Sequence, residues 1–236
     1  MVGRSETMIL LLAVVGAGVD AVMITAFGVL TAAQTGNTIL LGVALGQGQW
    51  SAGLAAGVSV IGYVVGAGVG ELIIEGGRAH RDGLPLVARA VVVELLLLAL
   101  ILCAWRLLGA SPAPVSQDAL VALAALAMGI QSAVTLRVHV GPATTYVTGT
   151  LTTFTTGMVR RLRWGGPEPC AAPGNRRVAT DVPRERERPW MYGATWAAYA
   201  AGAVVTALLW LELREAALLL PIAILGAVVL AEHARS

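Results

Sequence analysis

Lysine is absent from this chain of 236 residues, and charge of either sign is scarce, at 13% of residues. Every basic residue is an arginine, and the arginines gather between apolar runs instead of forming a stripe, which argues against a nucleic-acid partner. Cysteine is limited to Cys103, inside an apolar run, and Cys170, in a loop, so neither a disulfide framework nor a thiolate cluster is present. His80, His139 and His233 are scattered without metal-ligand spacing, and no metal or cofactor is expected. The sequence offers no Ser–His pair, paired aspartates or His-Glu-x-x-His arrangement. An intramembrane hydrolase is therefore the least favoured function, and no enzymatic activity is expected.

What is present is apolar. With 57% apolar residues and a mean hydropathy of +0.77, the composition excludes a soluble domain and predicts an all-α polytopic membrane protein. A hydrocarbon core of ~30 Å takes about 20 apolar residues per helix. Six stretches meet that need: 8–30, 51–74, 86–108, 118–137, 190–211 and 214–233. The first resembles a signal peptide in its flanks, but its apolar run continues past Asp20, and an uncleaved span is expected. The segment 163–189 turns to Pro, Gly, Arg and Glu, the composition of a solvated loop.

The most informative stretch is Gly18 to Gly46. It places Asp20 inside a membrane-length apolar run and then interrupts that run with a small polar patch from Thr31 to Asn37. Gly36 favours a turn there, and Thr35 or Asn37 can cap a new helix running from about Asn37 to Leu45. So short a helix cannot cross a bilayer alone, and a re-entrant hairpin over 31–46 is expected. A buried acid beside an interrupted helix is how a membrane protein builds a binding site.

The device occurs twice. Gly129-Ile130-Gln131 answers Gly18-Val19-Asp20, Thr148-Gly149-Thr150 answers Thr35-Gly36-Asn37, and Tyr199 to Ala203 answers Tyr63 to Ala67. These matches divide the chain into repeats 1–110 and 111–236, the second with its own hairpin at 141–160. Arginines 160, 161, 163, 176, 177, 184, 186 and 188 crowd one loop, and Arg78, Arg81 and Arg89 flank another. Placing both loops in the cytoplasm by the positive-inside rule puts both termini there as well. Each repeat then has three crossings, so the two are inverted and the hairpins enter from opposite faces.

At these residues the chain resembles the YoaK family of bacterial inner-membrane proteins. The carriers are GVDAVMITAFGVLTAAQTGNTILLGVAL, MGIQSAV and TTYVTGTLTTF. The resemblance implies a six-span protein of the bacterial inner membrane and supplies no substrate.

If the two short helices begin near the midplane, their N–H groups and positive dipole ends converge there and favour an anion or a carboxylate. The expected solute-binding residues are Asp20, Gln34, Thr35, Gly36, Asn37, Gln131, Thr145, Thr148, Gly149 and Thr150. A proton shared with Asp20 would couple solute binding to protonation. The first expectation is thus a secondary transporter of a small polar or anionic solute. The alternatives are a passive channel and a membrane scaffold in which Asp20 merely pins the broken hairpin. Glu94 is expected beside an arginine or near the headgroups. The glycine row Gly62, Gly66 and Gly70 is expected to pack against another helix, within the chain or in a homodimer.

Overall fold

A computed structural model describes residues 4–78, 86–109, 111–138, 147–164 and 189–234. Among these residues there is no strand. The elements are α1 (Arg4–Phe27), α2 (Gln34–Gly46), α3 (Trp50–Arg78), α4 (Leu86–Leu108), α5 (Pro114–Val138), α6 (Val147–Trp164), α7 (Pro189–Leu213), a 3-10 turn (Arg214–Leu218) and α8 (Leu219–His233). Pro114 and Pro189 open their helices, where the missing N–H costs nothing and the fixed φ is already helical. The stretch 86–108 is helical over the expected bounds.

The first break differs in register from expectation. α1 stops at Phe27 and not at Leu30, because Gly28 takes a left-handed φ of +73° and returns its N–H to the Ile24 carbonyl at 3.0 Å. The short helix begins at Gln34 and not at Asn37, with no side-chain cap from its own N-terminal residue.

Five stretches are long and apolar enough to cross a membrane: Glu6–Phe27, Trp50–Glu75, Ala88–Leu108, Pro114–Leu136 and Trp190–His233. The last is 44 residues long and holds both α7 and α8. Large apolar side chains such as Ile61, Val64, Leu72, Leu96, Val204 and Leu208 face outward, and water would not tolerate so continuous an apolar exterior. The chain is an integral membrane protein.

α1 and α5 form the centre, 67% and 72% buried against 28% for the spans in α3 and α4. α5 packs against α3 and α4, while α1 packs against α7 and α8. α3 and α5 run side by side in the same direction. Gly62 meets Ala122, Gly66 meets Leu126, and Gly70 meets Ile130 and Ala133, so the glycine row is filled from within the chain. α1 and α7 repeat this contact, with Gly202 against Val14 and Gly18 against Thr206. α2 runs back along α3, bringing Ala44 to Gly53 and Leu41 to Gly57.

The ends of α1, α4 and α7 come together. Phe27 stacks on Trp105 with centroids 4.7 Å apart, and Trp105 lies 5.9 Å from Trp210. Beside them Arg106 pairs with Glu215 at 3.1 Å. These helices therefore point the same way, and their shared end is sealed by aromatic rings.

Candidate functional site: the clasped helix break

A helix that ends inside an apolar bundle leaves N–H and C=O groups without partners, and there is no water to take them. At the α1–α2 break the chain satisfies them with side chains. Asp20 lies below Phe27 by about 10 Å, at ~1.5 Å per residue, and the loop 28–33 folds back down to it. Its Oδ1 accepts the N–H groups of Thr31 at 2.6 Å and Ala32 at 2.7 Å, and the Thr31 hydroxyl at 3.1 Å. Its Oδ2 accepts the N–H of Ala33 at 3.1 Å and the hydroxyl of Tyr199 at 2.9 Å. All five partners donate, which suits a carboxylate that can only accept. The residue is 3% exposed.

The other side of the loop is held by Asn37. Its Oδ1 accepts the Leu30 N–H at 2.9 Å while its Nδ2 donates to the Leu30 carbonyl at 2.6 Å, so one amide closes both backbone groups of one residue. The same Nδ2 reaches Gln34 Oε1 and Ser59 Oγ, each at 2.9 Å. Ser59 donates to the Leu30 carbonyl at 2.6 Å, and Gln34 Nε2 donates to the Thr31 carbonyl at 2.7 Å. The network ties α1, the loop, α2, α3 and α7 at one depth.

The expected site residues divide accordingly. Asp20, Gln34 and Asn37 are brought together. Thr35 is exposed and faces away, and Gly36 serves packing: a Cβ there would lie 2.6 Å from Leu30 Cδ1. Gln131 is buried on α5 and donates to the Leu12 carbonyl of α1 at 2.8 Å. Gly149 and the buried Thr150 lie in the first turn of α6. Thr145, the side chain of Thr148 and the basic segment 165–188 lie outside the described residues. Among the described residues no cluster of His, Cys, Asp or Glu could hold a metal.

Two expectations need correction. The N–H groups ahead of α2 are not open to an external anion, because Asp20 already occupies them. Glu94 is paired with no described arginine and is not at the surface of the bundle; it is 1% exposed and has no partner among the described residues.

Thr31, Ser59 and Tyr199 are the members that sequence reasoning left out of the site. The sequence match between the stretches that begin at Tyr63 and Tyr199 was a signal for the last, since it singles out a polar ring in an apolar run.

From residue 8 to residue 231 the chain matches a family described as "Protein of unknown function (DUF1275)". No curated protein and no solved structure matches it.

Proposed function

The chain belongs to the DUF1275 family, and from that premise we propose that it is a secondary transporter of a small polar solute, built as two inverted halves of three crossings each. The observation that carries the reading is the Tyr199–Asp20 bond at 2.9 Å. It joins the helix break of the first half to the second long helix of the second, α7, in the middle of otherwise apolar spans. Polar groups are kept there at a cost, and they mark the place where two moving parts of a transporter meet.

Several pairings support the duplication. Asp20 and Gln131 are both buried on the central helices, and Asn37 and Thr150 are both buried on the short ones. Ser59 and Thr195 are both buried on the next helices. Leu41 lies 3.9 Å from a Cβ built on Gly57, and Phe154 lies 2.7 Å from one built on Gly193. α1 meets α7 as α5 meets α3, and α1 meets α8 as α5 meets α4.

Helix direction supports the inversion. α1 and α4 end at the same aromatic cluster, so the chain between them must return to the opposite face. α3, at 29 residues, makes that crossing. α2 then starts beside Asp20 and climbs back to the face that α1 had reached, as a re-entrant segment does. With the arginine-rich loops in the cytoplasm, the aromatic end lies outside and both termini inside. We expect a cysteine at Gln47, in a chain freed of Cys103 and Cys170, to be labelled by an impermeant maleimide only from the periplasm. One at His233 should react only from the cytoplasm. Labelling of both from one face would rule out the inverted arrangement.

In this reading Asp20 holds the site and does not meet the solute. An anion would have to displace the carboxylate from three N–H groups, so an uncharged or zwitterionic polar solute fits better. A scaffold role is the second reading, favoured by the saturation of the clasp. The two separate in a thermal-shift screen of the purified protein against amino acids, nucleobases, carboxylates and small anions. A true solute at ~100 times its dissociation constant adds about 2.7 kcal/mol to the apparent stability. If nothing in such a panel shifts the transition, the scaffold reading stands.

A further inference from the structure

Besides Glu6 at the start of α1, two carboxyl groups among the described residues are buried, both in the interior of apolar spans, and their surroundings are opposite. Asp20 collects five donors. Glu94, on the core-facing side of α4, receives none: its Oε1 has no hydrogen-bond partner, and the described residues offer it no ion pair. Val91 and Leu98, about one turn before and after it, are fully buried in the main apolar cluster with Met128 of α5 and Val228 of α8.

Among the described side chains, no titratable group on a neighbouring helix pairs with it. On α3 these are Tyr63, Glu71 and Glu75; on α5, Asp118 in the first turns; on α8, Glu232 and His233 at the far end. The side chains of Arg78 and Arg137, at the ends of α3 and α5, lie outside the described residues. In the 3-10 turn, Arg214 is followed by Glu215, which pairs with Arg106 at the aromatic end of α4. On α4 itself Arg89 and Cys103 make no bond to it. A lone carboxylate in such surroundings is costly enough that the group takes up a proton instead.

α4 belongs to the first half of the chain, yet it packs on α5 and α8 of the second. Glu94 therefore lies on the seam along which the halves would slide. We propose that Glu94 is a proton-binding site: its carboxyl carries a proton in the state described here and exchanges it with water when α4 moves against α5 and α8. The exchange is –COOH to –COO⁻ plus a proton taken by water, and needs no other reactant. Use of that proton as the coupling ion rests on the transport reading, whereas its binding does not. The assignment moves the role of proton carrier from Asp20, whose oxygens already accept five hydrogen bonds, to the acid that accepts none from the described residues.

Infrared spectroscopy of the protein in lipid vesicles at neutral pH tests this. The wild type should show the carbonyl stretch of a neutral carboxylic acid, and the band should move down in D2O as the acid exchanges. Glu94→Gln copies the neutral acid in shape, so it should fold with an unchanged melting temperature and lose the band completely. Glu94→Asp, which keeps a carboxyl, should retain a displaced band if the Gln variant fails to fold. Absence of the band in the wild type, or its persistence in Glu94→Gln, would overturn the proton assignment. A band that stays unshifted in D2O would overturn the exchange. Neither result depends on finding a solute, so the inference and the transport reading fail by different experiments.

Discussion

Gly66→Ala is expected to separate α3 from α5 and to cost more stability than any other single methyl group added to this chain. A Cβ at Gly66 would fall well inside van der Waals contact with the Leu126 carbonyl, a backbone atom that no rotamer change can move aside. Gly129, across the same interface, would drive a Cβ into the Tyr63 carbonyl. Overpacking a fitted core costs about 1–3 kcal/mol and more when the backbone must yield; here we expect roughly 3 kcal/mol or more for either change. The control is Gly68→Ala on the same helix, where nothing lies within 4 Å. There the better helix propensity of alanine should leave stability unchanged or raise it by up to about 1 kcal/mol. Melting curves of the three variants in one detergent decide the matter. Equal behaviour of Gly66→Ala and Gly68→Ala would mean that α3 and α5 do not touch as described.

Asp20→Ala should be at least as damaging, for an electrostatic reason. It strips the partner from three consecutive backbone N–H groups and two hydroxyls in a place without water. Each buried donor left unpaired costs about 1–3 kcal/mol, so a loss of roughly 3–6 kcal/mol is expected after the loop relaxes. Asp20→Asn keeps one accepting oxygen but turns an amide N–H₂ toward either the Thr31 and Ala32 donors or the Ala33 donor, and should fall between Ala and wild type. Tyr199→Phe removes one hydrogen bond to a charged group and should cost about 1.5–3 kcal/mol. If the Ala variant melts with the wild type, Asp20 does not clasp the break. If the variants melt low while a solute found for the wild type still raises their transitions, Asp20 holds the site without touching the solute.

The helix break was legible because Asp20, Gln34 and Asn37 interrupt an apolar run, and a polar group inside a bilayer must have a reason. Its clasp was legible only as one alternative, pinning through the amides near Thr35. The amides used are those of Thr31 to Ala33, because Gly28 ends α1 earlier than apolarity alone implies. Thr35 lies in the same polar patch yet turns outward, since consecutive residues of a helix face different directions. Glu94 shows the opposite failure: position in the span suggested an arginine, but whether one is within reach depends on which helices lie beside α4.

By itself the sequence determined that this chain lives in a membrane, that its long helices are apolar, and that a short helix follows Asp20. Those properties follow from length and hydropathy measured along the chain, against a bilayer of fixed thickness. The tertiary structure decided which faces meet: α5 in the glycine groove of α3, Tyr199 of α7 reaching Asp20, and Glu94 enclosed with no partner among the described residues. In hydrocarbon every apolar face is equally well solvated by lipid, so hydropathy carries no record of helix neighbours. Only close fit and the pairing of polar groups select them, and both exist only once the helices are side by side.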